Sequence, residues 1–301
     1  MTTFVIAEVG SNFGGDEATA KRYIAAAAEA GADAVKFQTL SKEMLIAREV
    51  REAGGSWVEN PVWSIFSNVG LPEEWHRPLL EYAESLGIEF LSTPFYLESI
   101  NILESAGVKR YKIASGDLTF IPLLDAVAAT GKPVILSTGS STMSEVSSAY
   151  ERLQVGGGEV SLLHCVSSYP PEYSEMNIRA VSTLRDKFRC PVGISDHSPG
   201  DLVPLASVTL GATIIEKHVT FDRSLEGPDH PYAMTWPEFA GMIRKVRLLE
   251  QALGHGRKEP TEREAAKVHR MRRSPYDPVT NRPSDKADAV WLRPAVNPLD
   301  S

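Results

Sequence analysis

The sequence predicts an α/β protein built as a (β/α)8 TIM barrel with a short irregular C-terminal tail, and three observations lead there. Eight short apolar runs rich in β-branched residues alternate with helical patterns, as βαβ units around a parallel sheet require. Gly31, Gly87, Gly107, Gly131 and Gly211 each fall just after a helical pattern, where a left-handed C-cap favours glycine. The repeats together fill roughly 250 residues, the usual extent of such a barrel. A doubly wound sheet is the alternative, but it needs fewer strands than the count supplies.

The first strand is read at Phe4–Glu8 and is followed by a helix over Asp16–Glu29. Strand Ala34–Gln38 comes next and, after a long connection, a helix at Pro72–Leu86. Strand Glu89–Thr93 precedes helix Leu97–Ala106, strand Arg110–Ser115 precedes Ile121–Thr130, and strand Pro133–Ser137 precedes Thr142–Gln154. Strand Val160–Cys165 leads to helix Ile178–Phe188, strand Val192–Ser195 to Asp201–Leu210, and strand Ile214–His218 to Pro237–Leu253. Residues 1–255 are therefore read as one barrel domain. Beyond it the composition turns to Lys, Arg, Glu and Pro, so residues 256–301 are expected to hold a polar linker helix (Thr261–Met271) and an irregular tail.

Hydrophobic residues make up 43% and charged residues 23% of the chain, enough apolar content to fill a large core. No apolar run reaches the ~18 residues of a membrane-spanning helix, and MTTFVIAEVG enters a strand directly, without the regions of a signal peptide. The two cysteines, Cys165 and Cys190, argue against a disulfide-stapled secreted fold, so a cytoplasmic protein is expected. A net charge of -8 weighs against nucleic acid or anionic membranes as partners. The glycines of VGSNFGG do not match a dinucleotide fingerprint and there is no P-loop, so neither NAD nor ATP is expected.

Chemistry in a TIM barrel gathers at the C-terminal mouth, and all eight predicted strands end on reactive or anion-binding side chains. These are Glu8; Lys36 and Gln38; Ser92 and Thr93; Lys112, Ser115 and Asp117; and Ser137 and Thr138. The last three strands add His164, Ser167, Ser168 and Tyr169; Ser195, Asp196 and His197; and Glu216, Lys217 and His218. Lys36, Lys112, Thr93, Ser115, Ser137 and Ser195 are the charge-assisted donors that a phosphate plus a carboxylate would need. Any one hydroxyl reads equally well as a helix cap. A lysine inside an apolar strand (AVKFQ, RYKIA) must meet an anion or be neutralised.

His197 and His218 end neighbouring strands, about 4.8 Å apart in a parallel sheet, so two imidazoles could share one divalent cation. Each alone would read as a structural hydrogen-bonder. The pair, with no cysteine, suits a metal that keeps open positions for water and a substrate oxygen, which leaves Mn2+, Co2+ and Mg2+ all open. His164 is a weaker candidate, and His76, His255 and His269 read as surface residues. Glu8 reads either as a base or water orienter or as the salt-bridge partner of Lys36 or Lys112, and Asp117 and Glu216 share that ambiguity.

Taken together, IAEVGSN, AGADAVKFQT, FLSTPF, YKIASGDLT, GKPVILSTG, LLHCVSSYP, VGISDH, IIEKHVTFDRSLEGPDH and MRRS resemble the sialic acid (N-acetylneuraminate) synthase family in order and spacing across residues 4–274. The resemblance implies an enzyme that condenses phosphoenolpyruvate with the open-chain aldehyde of an N-acetylated hexosamine, giving a 2-keto-3-deoxy nonulosonic acid and phosphate. It implies that Lys36, Gln38, Thr93, Lys112, Ser115, Ser137 and Ser195 bind phosphoenolpyruvate and that His197 and His218 hold the metal. Glu8 and Asp117 would orient or deprotonate water, and Asn60, Tyr169 and Asp229 would contact the sugar. Arg293, in AVWLRPAVNP, is implied as a further sugar contact.

Three departures stand out against that pattern. Phe13 stands where the family has His, Ser140 where it has Met, and the stretch from Pro275 to Ser301 is too short for the family's C-terminal antifreeze-like domain. Residues 256–301 are thus read as a linker and a truncated remnant of a capping domain. A homodimer is expected, in which Ala289–Pro298 docks near a barrel mouth with Trp291 buried. Two other readings stay open: the same condensation on a different aldehyde in specialised metabolism, and a catalytically silent barrel that binds a sugar. The strand-end Lys, His and Glu weigh against the second.

Overall fold

Side chains alternate along a strand, so in a closed parallel sheet every second residue faces helices and the rest face the interior. The computed structural model describes residues 2–64, 66 and 69–293. Its eight parallel strands are β1 Phe4–Glu8, β2 Ala34–Thr39, β3 Glu89–Pro94, β4 Tyr111–Ile113, β5 Val134–Ser137, β6 Val160–Cys165, β7 Val192–Asp196 and β8 Ile214–Thr220. They pair in the order β3-β2-β1-β8-β7-β6-β5-β4, and the end strands β3 and β4 lie against each other, curling the sheet into a nearly closed ring. The helices are α1 Glu17–Ala30, α2 His76–Ser85, α3 Ser99–Ala106, α4 Ile121–Ala129, α5 Met143–Gln154, α6 Ala180–Phe188, α7 Leu202–Thr209 and α8 Trp236–Leu253. This is the (β/α)8 barrel that the sequence predicts.

Outward residues such as Val5, Ala7, Val35, Phe37, Leu136 and Ile194 join the core shared with the helices. Inward, Ile6, Ala34, Leu91, Ile135, Leu163 and Ile214 form a separate apolar floor. Burying each of the leucines and isoleucines among them is worth about 1.5–3 kcal/mol. The layer above this floor is polar and costs stability unless its charges pair.

The same alternation corrects several expectations. Ser92, His164, Asp196 and Lys217 end strands but face outward. His164 Nε2 meets Met176 O at 2.7 Å, and Lys217 ion-pairs with Asp196 behind the mouth, on the helix side. His76 is not a surface residue: it is 1% exposed, with Nε2 2.7 Å from Thr39 Oγ1, whose hydroxyl also meets Ser92 Oγ at 2.7 Å. It shares the buried face of α2 with Leu79, Leu80 and Ala83, a helical spacing that outweighs its polar flanks. His255 is exposed as expected. The long connection after β2 also carries an unforeseen hairpin, Glu49–Arg51 with Trp57–Glu59.

The chain from Gly254 onward clusters as a second unit. Two single turns, Glu262–Ala265 and Val268–Met271, replace the expected continuous linker helix, the first begun by a capping box at Thr261. The tail is not wholly irregular: Ser274–Tyr276 pairs antiparallel with Val290–Leu292. Trp291 in that hairpin is 61% exposed, and residues 294–298 of the expected docking segment lie outside the described residues. No helix among the described residues is long and apolar enough to cross a membrane.

Candidate active site

Counting by twos upward from the floor selects the groups that meet. Glu8, Lys36, Gln38, Thr93, Lys112, Ser137, Cys165, Ser195, His197, Glu216 and His218 line one cavity of about 360 Å³, joined by Ser115 and Tyr169 from the loops. Lys36 and Lys112 are only 4% and 2% exposed. An ammonium so buried costs several kcal/mol unless it is paired. Lys36 Nζ lies 2.7 Å from Glu8 Oε2 and 3.7 Å from Glu216 Oε2, and Lys112 Nζ lies 3.6 Å from Glu216 Oε1. Lys36 also donates to Thr93 Oγ1 at 3.2 Å, and Lys112 to Ser137 Oγ at 2.7 Å. Ser195 Oγ donates to Glu216 Oε1 at 2.8 Å, and Gln38 Nε2 to Glu8 Oε1 at 3.0 Å.

This network of two cations and two anions splits its carboxylates. Burial pushes the Glu8 carboxyl up. Burial works the same way on Glu216, but Lys112 and Lys36 together hold it well below the usual range. Glu216 thus stays charged between the two lysines, whereas burial favours a proton on Glu8 despite its ion pair with Lys36. Ser115 follows β4 in a tight turn, its Oγ accepting the Gly139 N–H at 2.9 Å. Asp117 is 9% exposed, and burial pushes its carboxyl up to about 6. Its Oδ2 has no hydrogen-bond partner among the described residues.

The rings of His197 and His218 lie 5.3 Å apart, centroid to centroid. His197 Nδ1 is 3.3 Å from Val166 O, and with its proton there the Nε2 lone pair stays free. His218 Nδ1 is buried without a hydrogen-bond partner among the described residues. Burial holds both imidazoles below the ordinary histidine value, His197 down to about 3. Two neutral imidazoles, one oriented by a carbonyl and one with an orphaned nitrogen, fit a divalent cation. Among the described residues no three His, Cys, Asp or Glu converge as a ligand cluster. A cation on this pair would draw its remaining ligands from water and substrate.

Gln38, Tyr169 and His218 also line a second cavity of about 400 Å³, with Ser11, Phe66, Val69, Pro228, Asp229 and Tyr232. Asp229 Oδ2 accepts from Ser11 N at 3.3 Å and Ser11 Oγ at 3.0 Å, and its Oδ1 accepts from Tyr232 Oη at 2.5 Å. Burial alone would raise this carboxyl, but His218 and the hydrogen-bond donors hold it below its ordinary value. Gly10 permits the approach. Its φ is +57°, and a Cβ there would stand 2.7 Å from Asp229 Oδ2.

Asn60 lines neither cavity: its Nδ2 donates to Ala47 O at 2.9 Å, bracing the connection after β2. Arg293 is exposed in the second unit. Ser11, Cys165 and Tyr232 were not foreseen in the site. For Tyr232 a signal existed: it follows Asp229 by three residues, and side chains so spaced in a 3-10 turn eclipse.

A sequence model described as the NeuB family matches residues 23–258. The chain is 42% identical to an N,N'-diacetyllegionaminic acid synthase of Legionella pneumophila, over 98% of this chain and 86% of that protein. It is 36% identical to a pseudaminic acid synthase of Campylobacter jejuni, over 86% of this chain and 77% of that one. Among solved structures it is similar to an N-acetylneuraminic acid (sialic acid) synthetase from Leptospira borgpetersenii in complex with citrate. That pair shares 36% identity and a TM-score of 0.82, covering 89% of this chain and 90% of the other.

Proposed function

The chain belongs to the NeuB family, and from that footing we propose a phosphoenolpyruvate-dependent synthase. It condenses phosphoenolpyruvate with the open-chain aldehyde of an N-acetylated hexosamine, giving a 2-keto-3-deoxy nonulosonic acid and phosphate. The observation that carries this reading is the pair of buried lysines, Lys36 and Lys112, held with Glu8 and Glu216 inside one cavity. Phosphoenolpyruvate brings a phosphate and a carboxylate, which two ammonium groups ringed by Thr93, Ser115, Ser137 and Ser195 would bind through charge-assisted hydrogen bonds.

The reaction joins C3 of the enol to the aldehyde carbon, the electron pair of the double bond forming the new bond while the aldehyde oxygen gains a proton. Water then adds at the cationic C2, and phosphate departs with its bridging oxygen, leaving the 2-keto group. Glu8, favoured by burial to take up a proton, accepts the one that water gives up, and Asp117 is the second carboxyl for that step. His197 and His218 would hold a divalent cation, Mn2+ foremost, which when bound supplies Lewis acidity to the aldehyde oxygen. Tyr169 and Asp229 contact the sugar in the second cavity, whose Phe66, Val69 and Pro228 suit an acetamido methyl.

Phosphate release from phosphoenolpyruvate, screened over hexosamines and other aldehydes, tests this. Because the Legionella relative is named for an N,N'-diacetyl product, a 2,4-diacetamido hexose joins N-acetylmannosamine on the panel. Turnover is expected with N-acetylated hexosamines. Release only with an unrelated aldehyde would favour the specialised-metabolism reading, and release with none would overturn the synthase.

The tail supports a further part of the proposal, a homodimer. Val290, Trp291 and Leu292 form an exposed apolar strand, and burying the indole against a second copy would be worth a few kcal/mol. Arg293, next in sequence, is proposed as the tail's contact to the sugar. Sedimentation is expected to give a dimer that Trp291→Ser weakens, and a wild-type monomer at micromolar concentration would refute the assembly.

A further inference from the structure

We infer that Tyr232 is the positioning residue that aims Asp229 at the sugar and so governs acceptor use, an inference that rests on the condensation proposed above. An ionised carboxylate only accepts hydrogen bonds, so the 2.5 Å contact between Tyr232 Oη and Asp229 Oδ1 has the phenol as donor. Ser11 holds the other oxygen through its backbone N–H and its hydroxyl, at 3.3 and 3.0 Å. The carboxylate is thus clamped from both ends. With two acceptor positions on each oxygen, Oδ2 is filled and Oδ1 keeps one for a sugar hydroxyl. Tyr232 occupies the neighbouring position and thereby sets the direction of the free one.

The phenol is itself held in place. Its ring lies 5.1 Å from His218 and 6.0 Å from His197, both edge-to-face, and 5.6 Å from Tyr169. Packing against three rings, two of them edge-to-face and Tyr169 tilted, fixes the direction from which the O–H reaches Asp229. The two tyrosines differ in one respect that makes the inference testable. Tyr169 lines both cavities, whereas Tyr232 lines only the outer one, which lacks the two lysines. A change at Tyr232 therefore reaches the acceptor without touching the groups that would bind phosphoenolpyruvate.

Tyr232→Phe keeps the ring and removes the donor. It is expected to raise the acceptor KM about 10- to 100-fold, what a hydrogen bond to a charged group is worth, with the phosphoenolpyruvate KM and the melting temperature unchanged. Because Tyr232 acts through Asp229, adding Tyr232→Phe to Asp229→Asn should cost little more than Asp229→Asn alone. An unchanged acceptor KM, an equal rise in both KM values, or fully additive losses would each overturn the inference. A wild-type protein that releases no phosphate with any aldehyde would overturn the condensation and this inference together. Normal wild-type turnover with an indifferent Tyr232→Phe would overturn this inference alone.

Discussion

Lys112→Met is expected to lower kcat/KM for phosphoenolpyruvate about 10²- to 10³-fold, the scale of removing one member of a buried charge pair. The ammonium is buried beneath the mouth, donating to Ser137 Oγ and facing Glu216. The acceptor KM should stay near its wild-type value, since Lys112 does not line the outer cavity. Folding should survive, because Glu216 keeps Lys36 at 3.7 Å and the Ser195 hydroxyl at 2.8 Å. Initial rates of phosphate release against phosphoenolpyruvate concentration, with a melting curve as control, decide the matter. An unchanged kcat/KM for phosphoenolpyruvate would remove Lys112 from the anion site.

The second large effect concerns the paired histidines. Treatment with a chelator is expected to abolish phosphate release, and added Mn2+ to restore it. His197→Ala and His218→Ala should each weaken Mn2+ affinity by about tenfold or more, because two protein ligands leave little redundancy. Calorimetric titration with Mn2+ reads this without any turnover. Mn2+ should also raise the wild-type melting temperature, as any ligand bound only to the folded state does, and should fail to do so in either variant. Full activity in a sample shown by elemental analysis to be free of divalent metal would refute the metal site.

The barrel was legible because its evidence is local. Apolar β-branched runs and the glycines after helices report backbone conformation directly. The choice of strand-end groups was less legible. Lys217 and Asp196 adjoin His218 and Ser195 in sequence but face the opposite side, and a period-of-two count along each strand from His218 and Ser195 would have separated them. His76 misled through its neighbours Glu74 and Arg77, although Leu79, Leu80 and Ala83 share its face. The three-residue spacing from Asp229 pointed to Tyr232, but its full significance lies in contacts with His218, Tyr169 and Asp229. Two of these come from distant strands and loops, and only folding brings them together.

The end of β8 offers a last consequence, for how this chain can change over time. Glu216 and His218 project into the mouth, and Lys217 between them is locked outward onto Asp196. Losing or gaining a single codon within this stretch would exchange the two sides at once, sending an ammonium inward and a carboxylate and an imidazole out among helices. Point replacements here could be graded in severity, whereas indels would be all-or-none. Length variation among descendants should therefore avoid β8, leaving the spacing from Glu216 to His218 constant.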